Sequence, residues 1–200
     1  MRWYLIVGLF YAASACAEPG GRSFPIDTSA TGDTTTHDTR DAWLVPDGAL
    51  GPGEACTLWN EVRADRREGT WTGSAAACDP GTWLEPGPTN TLAQVNLYRA
   101  LAGLPPVALD PDKSAAAQAC ALIMDANGAI EHTIPDGWRC LDGPGVSAAG
   151  LSNLATTAGV LAVDLYLSDN HVDSLGHRRW LLSSSLGPIG VGSTNDFSCL

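Results

Sequence analysis

Gly176-His177-Arg178-Arg179-Trp180-Leu181-Leu182, followed by Gly187-Pro188-Ile189-Gly190-Val191-Gly192, is the most informative stretch of this 200-residue chain. A histidine set between a glycine and two arginines leads into an apolar run, and then into a segment where aliphatic side chains alternate with glycine. That alternation predicts a strand under a closely approaching layer, because glycine leaves room for neighbouring backbone. The clearest helical patterns lie upstream. Helices first and strands late predict an α+β fold.

Asn90 or Thr91 can cap a first helix of the main domain, with Leu92, Val95, Tyr98, Leu101 and Ala102 on one face, and Gly103 stops it before Leu104-Pro105-Pro106. Asp110 caps the next, with Pro111 in its first position, an Ala-rich body from Ala115 to Met124, and Asn127-Gly128 at its end. A third runs from about Ala158 to Asp169. Its Val160, Leu161, Val163, Leu165, Tyr166 and Leu167 are too apolar for a solvated helix, so it is expected to be largely buried.

The start of the chain addresses its compartment. Residues 1–15 read as a secretory signal: Met1-Arg2 is positive, Trp3 to Ala13 is apolar but too short to span a bilayer stably, and small residues precede Cys16. Cleavage before Cys16 leaves a thiol for acylation, the outcome expected here. Cleavage after Ala17 at Ala15-Cys16-Ala17 gives a freely secreted chain instead. Residues 16–40 hold two isolated large apolar residues, Phe24 and Ile26, and read as a flexible spacer that cannot bury enough surface to offset its ordering entropy. Residues 41–90 form a Trp-rich extension with Trp43, Trp59, Trp71 and Trp83 and a short helix between Thr57 and Arg67. Its tryptophans are expected to pack on the main domain, residues 91–200, with a wall- or carbohydrate-binding surface as the alternative.

A net charge of -11, from 22 acidic and 11 basic residues, with no basic patch, excludes nucleic acid as the main partner. Lys113 is the only lysine, a bias that fits a GC-rich bacterial genome. The six cysteines suit an oxidising compartment. With Cys16 acylated, the expected bridges are Cys56 to Cys78, closing the Trp-rich segment, and Cys120 to Cys140, tying a helix to the loop after it. Cys199 is then left over. No C-x-x-C spacing is present, so a zinc ribbon or a thioredoxin-like redox motif is not expected.

Taken with Asn96-Leu97-Tyr98-Arg99-Ala100-Leu101-Ala102-Gly103-Leu104-Pro105-Pro106-Val107 and Glu131-His132-Thr133, the opening stretch resembles the CAP superfamily of cysteine-rich secretory, antigen 5 and pathogenesis-related proteins, which has many bacterial extracellular members. The resemblance covers roughly Thr91 to Val191. It implies an α-β-α sandwich with a small, mainly antiparallel sheet. Family members usually continue past the glycine-rich strand into one more, so with Leu200 as the last residue the expectation is either an incomplete sheet or a truncated sequence.

The resemblance also implies a central cleft holding two histidines and two acids. His132 and His177 match the histidines. Leu151-Ser152-Asn153 matches the segment with the first acid, but Ser152 replaces the glutamate; Asp169 matches the second acid. Imidazoles and carboxylates around an open position suit zinc. Without one carboxylate, any divalent metal at His132 and His177 is expected to bind weakly. No G-x-S-x-G, S-x-x-K or H-E-x-x-H pattern is present. The functional expectation is an exported, membrane-tethered protein that binds a lipid, cell-wall or protein ligand and does not catalyse a reaction. The alternatives are a metal-dependent or Ser-His hydrolase and a structural envelope or adhesion protein.

Overall fold

The computed structural model describes residues 50–170 and 172–200. The signal, the acylation site at Cys16, the spacer and Trp43 lie outside them. Among the described residues six helices and three short strands follow one another: α1 (Pro52–Arg63), α2 (Gly87–Leu101), α3 (Pro111–Asn127), α4 (Gly143–Ala149), β1 (Leu154–Ala155), α5 (Gly159–Ser168), α6 (Gly176–Leu181), β2 (Gly192–Ser193) and β3 (Ser198–Cys199).

Helix α3 is the one whose ends local chemistry fixes most fully. Asp110 Oδ1 accepts the backbone N–H groups of Asp112 and Lys113 at 3.0 and 3.1 Å, and Pro111 sits where no intrahelical N–H bond is required. Gly128 ends it at a φ of 63°, a left-handed conformation that costs glycine little. Helix α5 starts without a local side-chain cap. Glu68, far upstream, supplies one: its carboxylate accepts the N–H groups of Val160 and Leu161 at 2.8 Å.

Two expectations about helical faces change. Helix α2 is buried nearly all round, including the polar Thr91, Gln94, Asn96 and Arg99, while Ala102 is exposed. The reason is that α2 touches both α1 and α5, so no single apolar stripe defines it. Conversely, α5 buries Val160, Val163, Tyr166 and Leu167 but leaves Leu161 45% and Leu165 54% exposed. In the extension the helix begins earlier than expected, at Pro52, and ends at Arg63.

The sheet is antiparallel, in the order β1-β3-β2. The expected strand at Ile189–Gly192 is a single parallel bridge between Leu109 and Ile189, followed by β2. One strand does follow the glycine-rich segment: β3 is the central strand of a small open sheet, pairing Cys199 with both Leu154 and Gly192. Gly192 does lie under a close layer. A Cβ there would come within 2.2 Å of the Ala117 backbone in α3.

Successive strand residues point to opposite faces, and the core divides accordingly. Leu154 and Cys199 join Ala117, Cys120, Ala121 and Met124 of α3, together with Ala149 of α4. Ala155 and Val191 join Val95 and Tyr98 of α2 and Val160, Val163 and Tyr166 of α5. The fold is α+β, with helices on both faces of a small sheet.

Two disulfides join pairs of described residues, Cys78–Cys140 and Cys120–Cys199, spanning 62 and 79 residues. The expected pairings of Cys56 with Cys78 and of Cys120 with Cys140 therefore do not form, and Cys199 is not left over. Cys120 lies on the sheet-facing side of α3, fully buried against β3. Cys140 reaches the same turn of α3, lining a cavity with Ala119 and Leu122, but Cys120 points away from that side into the core beside Cys199. By loop entropy each bridge contributes about 4 kcal/mol.

The Trp-rich segment packs inward. Trp83 is in the core and donates its indole N–H to the Glu68 carbonyl. Trp59 meets Tyr98 edge-on at 6.1 Å and lies under the Arg63 guanidinium at 4.4 Å. Arg63 forks onto Asp164 of α5 with two 2.9 Å bonds, and Tyr98 donates to the same carboxylate at 2.7 Å. Burial opposes ionisation of Asp164, but the bonds from Arg63 and Tyr98 outweigh it and hold the carboxyl below its ordinary range.

Candidate functional site

The Gly176-His177-Arg178-Arg179-Trp180-Leu181 motif folds as α6, and its residues divide into separate tasks. Arg178 turns back to α5, where Nε and Nη2 donate to the Leu167 and Ser168 carbonyls at the helix end. A cation there satisfies carbonyls that have no helical partner and complements the helix dipole. Leu181 enters the core and Trp180 stays 66% exposed. His177 turns toward Asp169.

Asp169 caps α5 in the left-handed region, at a φ of 48°. Its side chain is withdrawn from solvent, with Oδ1 2.8 Å from His177 Nδ1 and Oδ2 accepting the Arg178 N–H at 3.2 Å. A carboxylate accepts only, so His177 Nδ1 carries the proton and Nε2 is its remaining nitrogen. Tyr166 packs beside the ring, centroid to centroid 5.4 Å, and donates its hydroxyl to the Asn153 carbonyl at 3.1 Å. Burial raises the Tyr166 phenol well above its ordinary value, so it stays a neutral donor.

His132 is oriented in a parallel way by backbone. It lies in the arm between α3 and α4, and its Nδ1 is 2.8 Å from the Ala149 carbonyl at the end of α4. A carbonyl also accepts only, so Nδ1 again holds the proton and Nε2 is left. The two histidines line one cleft of about 350 Å³ with Ser152, Asn153, Ser174 and Trp180. Leu151, 85% exposed, also borders it.

Of the five expected cleft residues, His132, Ser152, Asn153 and His177 line the cleft, and Asp169 stands behind His177. Asn153 is largely structural: its backbone pairs with Leu200, and its Nδ2 donates to the His177 carbonyl at 3.2 Å. Sequence reasoning missed the roles of Arg178, Trp180 and the Ala149 carbonyl. The adjacent Arg178 and Trp180 carried a signal for the first two; nothing in Ala149 marks its carbonyl.

A resident zinc centre needs three or four donors converging on one point. Asp169 has both oxygens engaged, Ser152 offers only a hydroxyl, and among the described residues no group of three or more His, Cys, Asp or Glu is placed to hold a metal. The donor set does not fit such a centre; it leaves the Nε2 atoms as the remaining nitrogens of the two imidazoles.

Among the described residues no helix is long and apolar enough to cross a membrane. No curated protein and no solved structure matches the chain. Residues 92–198, just over half of its length, match the family described as CAP, cysteine-rich secretory protein family. The match contains most of α2, all of α3 to β2, the first residue of β3 and both oriented histidines, and the chain belongs to that family.

Proposed function

We propose that this is an exported CAP domain that works by binding a ligand in its open cleft, with the Nε2 atoms of His132 and His177 as the recognition groups. The observation that carries the reading is the matched orientation of the two rings: each has Nδ1 held by an acceptor, one a backbone carbonyl and one a buried carboxylate. Rings fixed before a ligand arrives lose little entropy on binding. The rim supplies exposed Trp180 and Leu151 beside the polar Ser152 and Ser174. That mixture suits a ligand with an apolar face and hydrogen-bonding groups, such as a cell-wall glycan or a lipid headgroup with its adjoining chain.

The test is a titration of the isotopically labelled chain with soluble wall-glycan fragments and with short-chain phospholipids, following both imidazoles by nuclear magnetic resonance. Support is a ligand that moves His132 and His177 together and loses affinity in His177→Ala. If neither class shifts either ring, the binding reading is wrong.

The Asp169–His177 pair also favours a second reading, hydrolysis, because a buried carboxylate behind a histidine is how a general base is oriented. Ser152 and Ser174 share the cleft, yet neither hydroxyl is hydrogen-bonded to His177 among the described residues. A serine-reactive fluorophosphonate that labels either serine would favour hydrolysis over binding alone.

Two disulfides and the family support a domain that works outside the cytoplasm. We propose the finer step that the mature chain begins at an acylated Cys16 and is held at a membrane. The motive is the run of small residues before Cys16 in the sequence, and the mass of the mature N-terminal peptide, with or without acyl chains on Cys16, tests it.

A further inference from the structure

The disulfides Cys78–Cys140 and Cys120–Cys199 occupy opposite environments. Cys120 and Cys199 are fully buried between α3 and β3, whereas Cys78 is exposed and Cys140 half-buried, beside a surface cavity of about 300 Å³ that both of them line. Cys78 and Cys140 also have φ values of 54° and 59°. Side chains other than glycine, asparagine and aspartate rarely adopt that conformation, so both ends of the bridge sit in backbone that disfavours cysteine.

What the bridge fastens is the arm between Asn127 and Gly143, which contains no helix or strand and carries His132. Apart from the bridge, the far end of the arm is held by Arg139, whose Nη2 donates to the Ala76 carbonyl at 3.2 Å and whose backbone exchanges bonds with the Asn127 side chain at 2.9 and 3.2 Å. Ile134 and Trp138 pack against the core, only partly buried. These contacts, with the His132 bond to the Ala149 carbonyl, are few and at most partly buried, the setting in which a segment opens locally without global unfolding.

We propose that Cys78–Cys140 is a thiol-exchange site, a redox latch that sets the order of the arm bearing His132. A thiolate from a dithiol reductant attacks the accessible Cys78 Sγ. The Cys78–Cys140 bond breaks, Cys140 leaves as a thiolate, and a mixed disulfide forms at Cys78. The second thiol of the reductant, deprotonated, then displaces Cys78. The reductant ends as its disulfide, having given two electrons, and both protein sulfurs take up protons from solvent. Cys120–Cys199 is shielded from this attack. The proposal is independent of the ligand taken by the cleft, because the latch is read from the bond and the arm alone.

The experiment treats the folded full-length mature chain with increasing dithiothreitol, traps thiols with iodoacetamide, and maps peptides without further reduction, with hydrogen exchange measured on the same samples. The expected result is alkylation of Cys78 and Cys140 while Cys120 and Cys199 stay linked. Exchange in residues 128–142 should then rise by about tenfold or more, with α3 and the sheet unchanged. The double variant Cys78→Ser, Cys140→Ser should show the same fast exchange without reductant. The proposal is overturned if both bridges open together, if Cys120–Cys199 opens first, if neither opens in the folded chain, or if Cys78–Cys140 opens and residues 128–142 keep their protection.

Discussion

His177 Nδ1 lies 2.8 Å from Asp169 Oδ1, and the carboxylate that orients the ring has no exposure to solvent. The second oxygen takes the N–H of the very next residue, Arg178, so one buried group fixes both the ring and the start of α6. Replacing Asp169 with Asn keeps the shape and removes the charge. We expect His177 to lose its single tautomer and the domain to lose about 2 kcal/mol, the cost of weakening charged hydrogen bonds in a buried place. Long-range imidazole nitrogen spectra read the first effect and urea unfolding the second; an unchanged tautomer would show that Asp169 does not orient the ring.

Asp164 gathers Arg63, Arg66 and Tyr98, and so joins the Trp-rich extension to α5. Its folded pKa is depressed, so the unfolded chain binds the proton more readily. Its contribution is therefore complete above the unfolded carboxylate value of about 3.9 and is lost as pH falls through the lower folded value. Asp164→Asn should cost about 2 kcal/mol at pH 7, and the gap between variant and parent should narrow in acid. Urea unfolding from neutral pH to about pH 3 checks the sign. A gap that widens toward low pH would contradict it.

Glu68 caps α5 from a distant part of the chain. Glu68→Ala frees two N–H groups at the helix start and removes a favourable negative charge, at an expected cost of about 1 kcal/mol. Thermal unfolding of the two proteins side by side measures it, and an unchanged midpoint would mean that water replaces the cap without loss.

Peptide mapping of the unreduced chain should find Cys120 linked to Cys199 and Cys78 linked to Cys140. Cys120→Ala with Cys199→Ala should lower stability by about 4 kcal/mol through the freed unfolded chain. A Cys120–Cys140 peptide would overturn the arrangement of α3 on β3.

The parts legible in sequence are those that local chemistry decides. Asp110, Pro111 and Gly128 mark α3 because a side-chain acceptor, a fixed φ and a tolerated positive φ act within a few residues. The late glycines foretold a close layer, and Gly192 under α3 is that contact. The histidines were found through their motifs. What could not be read depends on distant chain: the bridging of Cys120 to Cys199, the central place of β3, the polar burial of α2, and the cap from Glu68. Asp169 was legible as a cleft acid but not as the support of His177, since that role depends on the direction α6 takes from α5.

The central claim is that the Nε2 atoms of His132 and His177 serve one binding locus. Zinc ion, used as a probe of paired imidazoles and not as a resident cofactor, tests it most directly. Calorimetric titration of the full mature chain should show one weak site that shifts both histidine resonances together. That site should weaken at least tenfold in either His132→Ala or His177→Ala, and strengthen in Ser152→Glu, which adds a third donor. Zinc that binds the double variant His132→Ala, His177→Ala as tightly as the parent, that moves only one ring, or that fails to bind the parent would contradict the claim.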